Sequence, residues 1–138
     1  MVNIMLRRHF IINTESSIPN NEIWYTTTDG NTVTLQNTSG LPPIDSNTYN
    51  NGKGVIKFQT DITTIVHYAF FTRATLTSIV IPNSVISIKN RAFGHCSALN
   101  TIKYKGTIFQ WDNITKETGW NENVPATVVH CTDGEVEL

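Results

Sequence analysis

The chain has 138 residues, enough for one domain with a core of its own. Charged residues make up 15% of it, against about 25% in typical soluble domains, and ten Lys and Arg face eleven Asp and Glu. That balance, with no basic stripe, argues against nucleic acid as the partner, and the composition excludes collagen, coiled coil and a disulfide-dense miniprotein.

The first thirteen residues set apolar side chains on both sides of Arg7-Arg8-His9. A secretory signal needs its basic residues first, then an unbroken apolar stretch and a small-residue cleavage site. The segment fits neither demand, so no export address is expected in it. A short helical arm over Ile4–Phe10 is expected instead, within an arm of residues 1–20. Glu22–Leu35 reads as a hairpin, two β-prone runs joined at Asp29-Gly30, a dipeptide favoured in primed turns. Residues 37–51, rich in Asn, Ser, Gly and Pro, read as an irregular connection. Residues 21–54 together form an N-terminal cap.

The middle of the chain repeats itself. A shift of 23 residues places Ile65 on Ile88, Ala69-Phe70 on Ala92-Phe93, Leu76 on Leu99 and Ile79 on Ile102. Conservative matches join Ile56 to Ile79, Phe58 to Ile81 and Ile62 to Val85. A weaker third copy sets Tyr104 on Ile81, Ile108 on Val85 and Trp111 on Ile88. A constant period of this length with spaced apolar positions is the mark of a leucine-rich solenoid, whose windings bury apolar faces only against one another. In Leu76-x-x-Ile79-x-Ile81 the isoleucines alternate and point to one face of a strand. Pro82-Asn83-Ser84 ends that strand, because proline has no N–H for the ladder. Val85–Ile88 crosses the far side, Phe93 fills the interior, and Gly94-His95-Cys96 turns the chain back to Leu99. The repeats are placed at residues 55–111. Residues 112–138 read as a C-terminal cap with a strand at Ala126–Cys131, a turn at Asp133-Gly134 and a final strand, with Trp111 and Trp120 covering the open end.

Leu76-Thr77-Ser78-Ile79-Val80-Ile81-Pro82-Asn83-Ser84-Val85, followed by Ile88, Ala92-Phe93, Cys96 and Leu99, resembles the BspA-like leucine-rich repeats of host-associated bacteria. The clear similarity covers residues 55–111 and a looser one about 20–138. The resemblance implies a mainly β, leucine-rich-repeat fold. It also implies a surface-exposed or secreted protein that binds host proteins, other cells or glycans, and it brings no catalytic residues. Two positions depart from the pattern. Arg73 stands where the repeat has cysteine and should open that turn to solvent. Lys53 stands where a strand-opening leucine is usual.

Chemistry-bearing residues form no familiar site. The dipeptides His95-Cys96 and His130-Cys131 lack the C-x₂₋₄-C and H-x₃₋₅-H spacings of tetrahedral zinc. Neighbours on a strand also point to opposite faces, so His130 and Cys131 would hardly share one metal. Nothing is placed to orient a Cys–His nucleophile pair. Asp61, Asp112, Glu117, Glu122, Asp133, Glu135 and Glu137 are scattered, and the last three read as a solvated edge. Gly52-Lys53-Gly54 lacks the frame of a phosphate loop. No catalysis and no cofactor or metal are therefore expected, and the two cysteines are expected as free thiols. No run of eighteen apolar residues exists, so no membrane insertion is expected.

Surface recognition remains. The 23-residue register lines up Val55, Ser78 and Thr101 in one row of the strand face and Lys57, Val80 and Lys103 in the next. Lys57 and Lys103 would then stand roughly 10 Å apart with Val80 between them. This face is the candidate site for a protein or glycan partner. On the opposite side Thr63, Ile86 and Phe109 align, and Ile86 with Phe109 forms a candidate apolar interface. A structural part of a cell envelope or virion, assembled through exposed edges or ends, is the alternative reading.

Overall fold

The described residues form ten short strands and one helical turn, and in several of the strands burial alternates with period two. The computed structural model describes residues 17–138. The arm expected over Ile4–Phe10 lies outside them. In chain order the elements are β1 (Glu22–Thr27), β2 (Ile44–Asn50), β3 (Lys53–Phe58), β4 (Thr64–Ile65), β5 (Leu76–Ile81) and β6 (Ser87–Ile88). β7 (Thr101–Tyr104), the helix α1 (Ile108–Asp112), β8 (Thr115–Lys116), β9 (Val128–Cys131) and β10 (Gly134–Glu137) follow. The protein is mainly β, as expected.

Seven strands form the large sheet in the order β10-β9-β7-β5-β1-β3-β2, and a small sheet has the order β4-β6-β8. β5 and β7 are parallel with Ser78 beside Thr101 and Ile81 beside Tyr104, which is the 23-residue register. β4 and β6 keep the same step, Ile65 beside Ile88. A third run of hydrogen bonds joins the return turns: Gln36 to Ala69, Phe70 to Ala92, Phe93 to Trp120.

The interior is a stack of rings and aliphatic side chains. Phe70 and Phe93 lie nearly parallel, and Trp120 takes the same place in the next winding, edge-on to Phe93. Leu76, Ile79, Ile81, Val85, Ile88, Leu99 and Ile102 are fully buried around them. Among the described residues no polar or charged side chain is buried. Arg73 is half-buried at the turn: its guanidinium donates to Gln36 Oε1 at 2.9 Å and to the Thr34 carbonyl. The charge is thus satisfied by these partners rather than buried unpaired.

Four expectations need correction. Glu22–Leu35 is not a hairpin. β1 runs antiparallel between β3 and β5, pairing Trp24 with Val55 on one side and with Val80 on the other. The Asp29-Gly30 turn does form, with Asn31 N–H donating to Asp29 Oδ1, but no strand follows it. Val33 is buried instead, and its N–H donates to the Tyr25 hydroxyl.

The hairpin at this end is β2–β3, in the stretch read as irregular. Its turn is Asn51-Gly52, with φ of 51° and 76°, the left-handed pair that a tight primed turn requires.

The third winding is longer than 23 residues. Ile88 pairs with Lys116 and Ile102 with Val129, because α1 is inserted. Thr107 caps α1 in a reciprocal box: Gln110 N–H donates to Thr107 Oγ1, and Thr107 N–H donates to Gln110 Oε1. Trp111 therefore does not stand on Ile88.

Trp111 and Trp120 do not cover an open end. Both are buried within the third winding, ring centroids 5.7 Å apart, and β9 and β10 continue the sheet past them.

Candidate interaction surface

Burial alternates along β1, β3 and β7, and strand pairing extends the outer face from them across the large sheet. β1 turns Ile23 and Tyr25 inward and leaves Trp24 and Thr26 outside. β5 buries Leu76, Ile79 and Ile81, leaving Ser78 and Val80 outside, and β7 leaves Thr101 and Lys103. Strand pairing then fixes the rows. The central row runs Thr48, Val55, Trp24, Val80, Lys103, His130, Glu135, one residue from each of seven strands. Beside it, Thr26, Ser78 and Thr101 form a hydroxyl row, in which Thr26 Oγ1 lies 2.6 Å from Thr77 Oγ1 and 2.5 Å from Ser78 Oγ.

The expected pairs Ser78–Thr101 and Val80–Lys103 are therefore neighbours. The insertion of β1 moves the other two residues. Val55 falls in the Val80 row with Trp24 between them, not beside Ser78. Lys57 stands beside Glu22 and Ser46, so it does not flank Val80. The face is thus less basic and more apolar at its centre than the register implied: Val55, Trp24 and Val80 form a strip. Trp24 lies outside the 23-residue register, so the repeat alone does not point to it. Its ring is held in place from two sides. Lys53 Nζ sits 3.2 Å from the ring centroid, and the indole N–H donates to Glu22 Oε1 at 2.8 Å. A cation over an indole at an exposed site contributes about 0.5–1 kcal/mol.

Where the row reaches β7, β9 and β10 the surface dips into a hollow of about 400 Å³, walled by Lys103, Lys105, His130 and Glu135 with Tyr104 and Cys131 among its lining residues. Burial pushes the Cys131 thiol up to about 11, helped by the nearby charges of Asp133 and Asp112, and burial also raises the Tyr104 hydroxyl. Burial thus keeps the Cys131 thiol protonated near neutral pH.

The other flagged residues are placed as follows. Ile86 and Phe109 are 64% and 76% exposed. Ile86 N–H does donate to the Thr63 carbonyl at 2.8 Å, but its neighbour on the other side is Thr115, and Phe109 sits on α1. The expected alignment of Phe109 with Ile86 is overturned by the same inserted turn. His95 is exposed, with Nε2 3.2 Å from Glu122 and Nδ1 accepting from Asn123. Cys96 is buried and its Sγ–H donates to the Phe70 carbonyl, so the two groups of this dipeptide face apart. Cys96 and Cys131 are free thiols. Among the described residues no three His, Cys, Asp or Glu side chains gather as a metal site would need, and no helix is long and apolar enough to cross a membrane.

A profile described as BspA type Leucine rich repeat region matches residues 9–115 in six copies. Comparison with curated proteins gives no match, and comparison with solved structures gives none either.

Proposed function

The chain belongs to the BspA-type leucine-rich repeat family, a repeat-based protein-interaction module, and from that premise we propose that it is a non-catalytic adhesion module whose large sheet docks a host or cell-surface partner. Its windings act as a short solenoid that serves only to hold this face rigid. Members of the family are typically surface-associated or secreted, and the reading places this protein in such a setting. The observation that carries it is the strip Val55, Trp24, Val80, running into Lys103 and bordered by Thr26, Ser78 and Thr101. An aromatic anchor flanked by aliphatic side chains and rimmed by hydroxyls and charges is the anatomy of a binding patch.

The test is a binding screen against matrix proteins and glycans, repeated with a Trp24→Ser, Val80→Glu double variant. Both side chains point outward and are only half-buried, so the variant should stay folded with a modestly lower thermal transition. The expected result is a partner whose binding the double variant weakens about tenfold or more. Binding that survives the change would remove this face from the account.

A further inference from the structure

We propose that the hollow at the end of the large sheet is a subsite for a carboxylated sugar, a hexuronate-like residue of an acidic glycan. The proposal rests on the binding-module reading above and names the ligand class for one part of its surface. The hollow holds about 400 Å³, within the range of small-ligand sites and sufficient for one or two sugar rings. Lys103 and Lys105 extend from consecutive outward positions of one strand and its continuation, and His130 stands beside Lys103 across the β7–β9 pairing. Among the described residues the side chains of Lys103 and His130 make no hydrogen bond or ion pair. Their donors are thus available to a ligand carboxylate, and lysine ammonium groups are strong charge-assisted donors.

The opposite wall supplies the other half of the recognition. Glu135 pairs with His130 across β9–β10 and offers an acceptor with no partner of its own among the described residues. A purely anionic ligand would be repelled by it. A sugar acid uses both walls: its carboxylate meets Lys103 and His130 and its hydroxyls donate to Glu135. The Gly134 position at the rim carries no side chain, and its φ of 149° keeps it so. An acidic peptide could also present carboxylates, yet its natural seat would be the open edge of β10, paired through its backbone, rather than a cup.

The test is a titration of the full chain, followed by amide chemical shifts, with D-glucuronate, D-glucose and L-glutamate. Saturable shifts at Lys103, His130, Gly134 and Glu135 are expected with glucuronate in the millimolar range, about tenfold tighter than with glucose or glutamate. Lys103→Glu should abolish them while leaving the thermal transition in place. Glucuronate binding should persist in a Trp24→Ser single variant, two strands away from Lys103, which separates failure of the sheet face from failure of the hollow. No saturable shift overturns the subsite. Equal binding of glucose would show that charge is not read, and equal binding of glutamate would show that the ligand is not a sugar; either result overturns the assignment.

Discussion

The rings of Phe70 and Phe93 lie 5.3 Å apart at an interplanar angle of 7°. The two residues hold the same place in successive windings, and Trp120 completes the column edge-on at 6.2 Å. Phe93 is the middle member, enclosed on both sides. Phe93→Ala should cost about 3–5 kcal/mol, because the cavity sits between two windings that cannot collapse independently. Urea denaturation of wild type and variant measures it. A loss below about 1 kcal/mol would mean that the column does not carry the stacking.

A cross-strand contact gives a second prediction. Gly54 and Tyr25 are partners across β3 and β1, and a Cβ on Gly54 would run into the Tyr25 ring. That ring is fully buried, its hydroxyl donating to Asn47 Oδ1 at 2.6 Å and accepting from Val33 N–H. It has nowhere to move without breaking those bonds. Gly54→Ala is expected to destabilise by about 1–3 kcal/mol through overpacking, measured by thermal or chemical denaturation.

Backbone strain gives a prediction of the opposite sign. Tyr68 and Arg91 have φ of 59° and 53°, Thr72 and His95 have 60° and 57°, each pair 23 residues apart. Every return turn thus enters the left-handed region twice. Thr72 is the β-branched member and is exposed, its hydroxyl bonded only to the Phe71 carbonyl. Left-handed backbone costs a non-glycine residue about 1–2 kcal/mol, and glycine's greater freedom in the unfolded chain returns part of that. Thr72→Gly should therefore stabilise by about 0.5–1 kcal/mol, read as a higher midpoint of denaturation.

Titration of the thiols sets a pH window. Burial pushes Cys96 up to about 11 from 9.0, with the Arg73 charge and backbone opposing only in part. The folded state then holds this proton where the unfolded state has begun to lose it. The corresponding stability is complete below pH 9 and declines as pH rises towards about 11. Tyr25 and Tyr104, also raised by burial, act in the same direction, whereas Lys116, lowered by burial, acts against them. Denaturation midpoints should fall between pH 9 and 11, and iodoacetamide should leave Cys96 unmodified at neutral pH unless the protein is unfolded. Rapid alkylation in the native state would contradict the burial.

The fold was legible where side chains are constrained by a shared interior. Phe70, Phe93, Ile79, Ile102 and Ile88 must recur in step, since each fills the gap beneath its equivalent, and the period exposes them. The position of β1 was not legible. Trp24 and Tyr25 alternate outward and inward whether their strand pairs locally or slots between β3 and β5, so pattern alone leaves the partner open. The choice of hairpin failed for a similar reason. Asp29-Gly30 and Asn51-Gly52 carry equal turn chemistry, and what separates them is the burial of Val33, a long-range fact. The five residues of α1 are too few for a helical period to register. The candidate surface inherits these limits: Ser78, Val80, Thr101 and Lys103 follow from the repeat, while Trp24 and the hollow depend on where flanking strands land.

The antiparallel insertion of β1 has a consequence for how the molecule comes to be made. A stack whose layers followed chain order could assemble progressively, each turn settling on the last. Here the strand between β3 and β5 is the earliest of the three in the chain, and its two edges wait for residues 53–58 and 76–81. During synthesis its β3 edge can pair once residue 58 has emerged, but its β5 edge waits for residue 81, past the midpoint of the chain. The large sheet is therefore joined through β1, and losing β1 would detach the β2–β3 ribbon from it altogether.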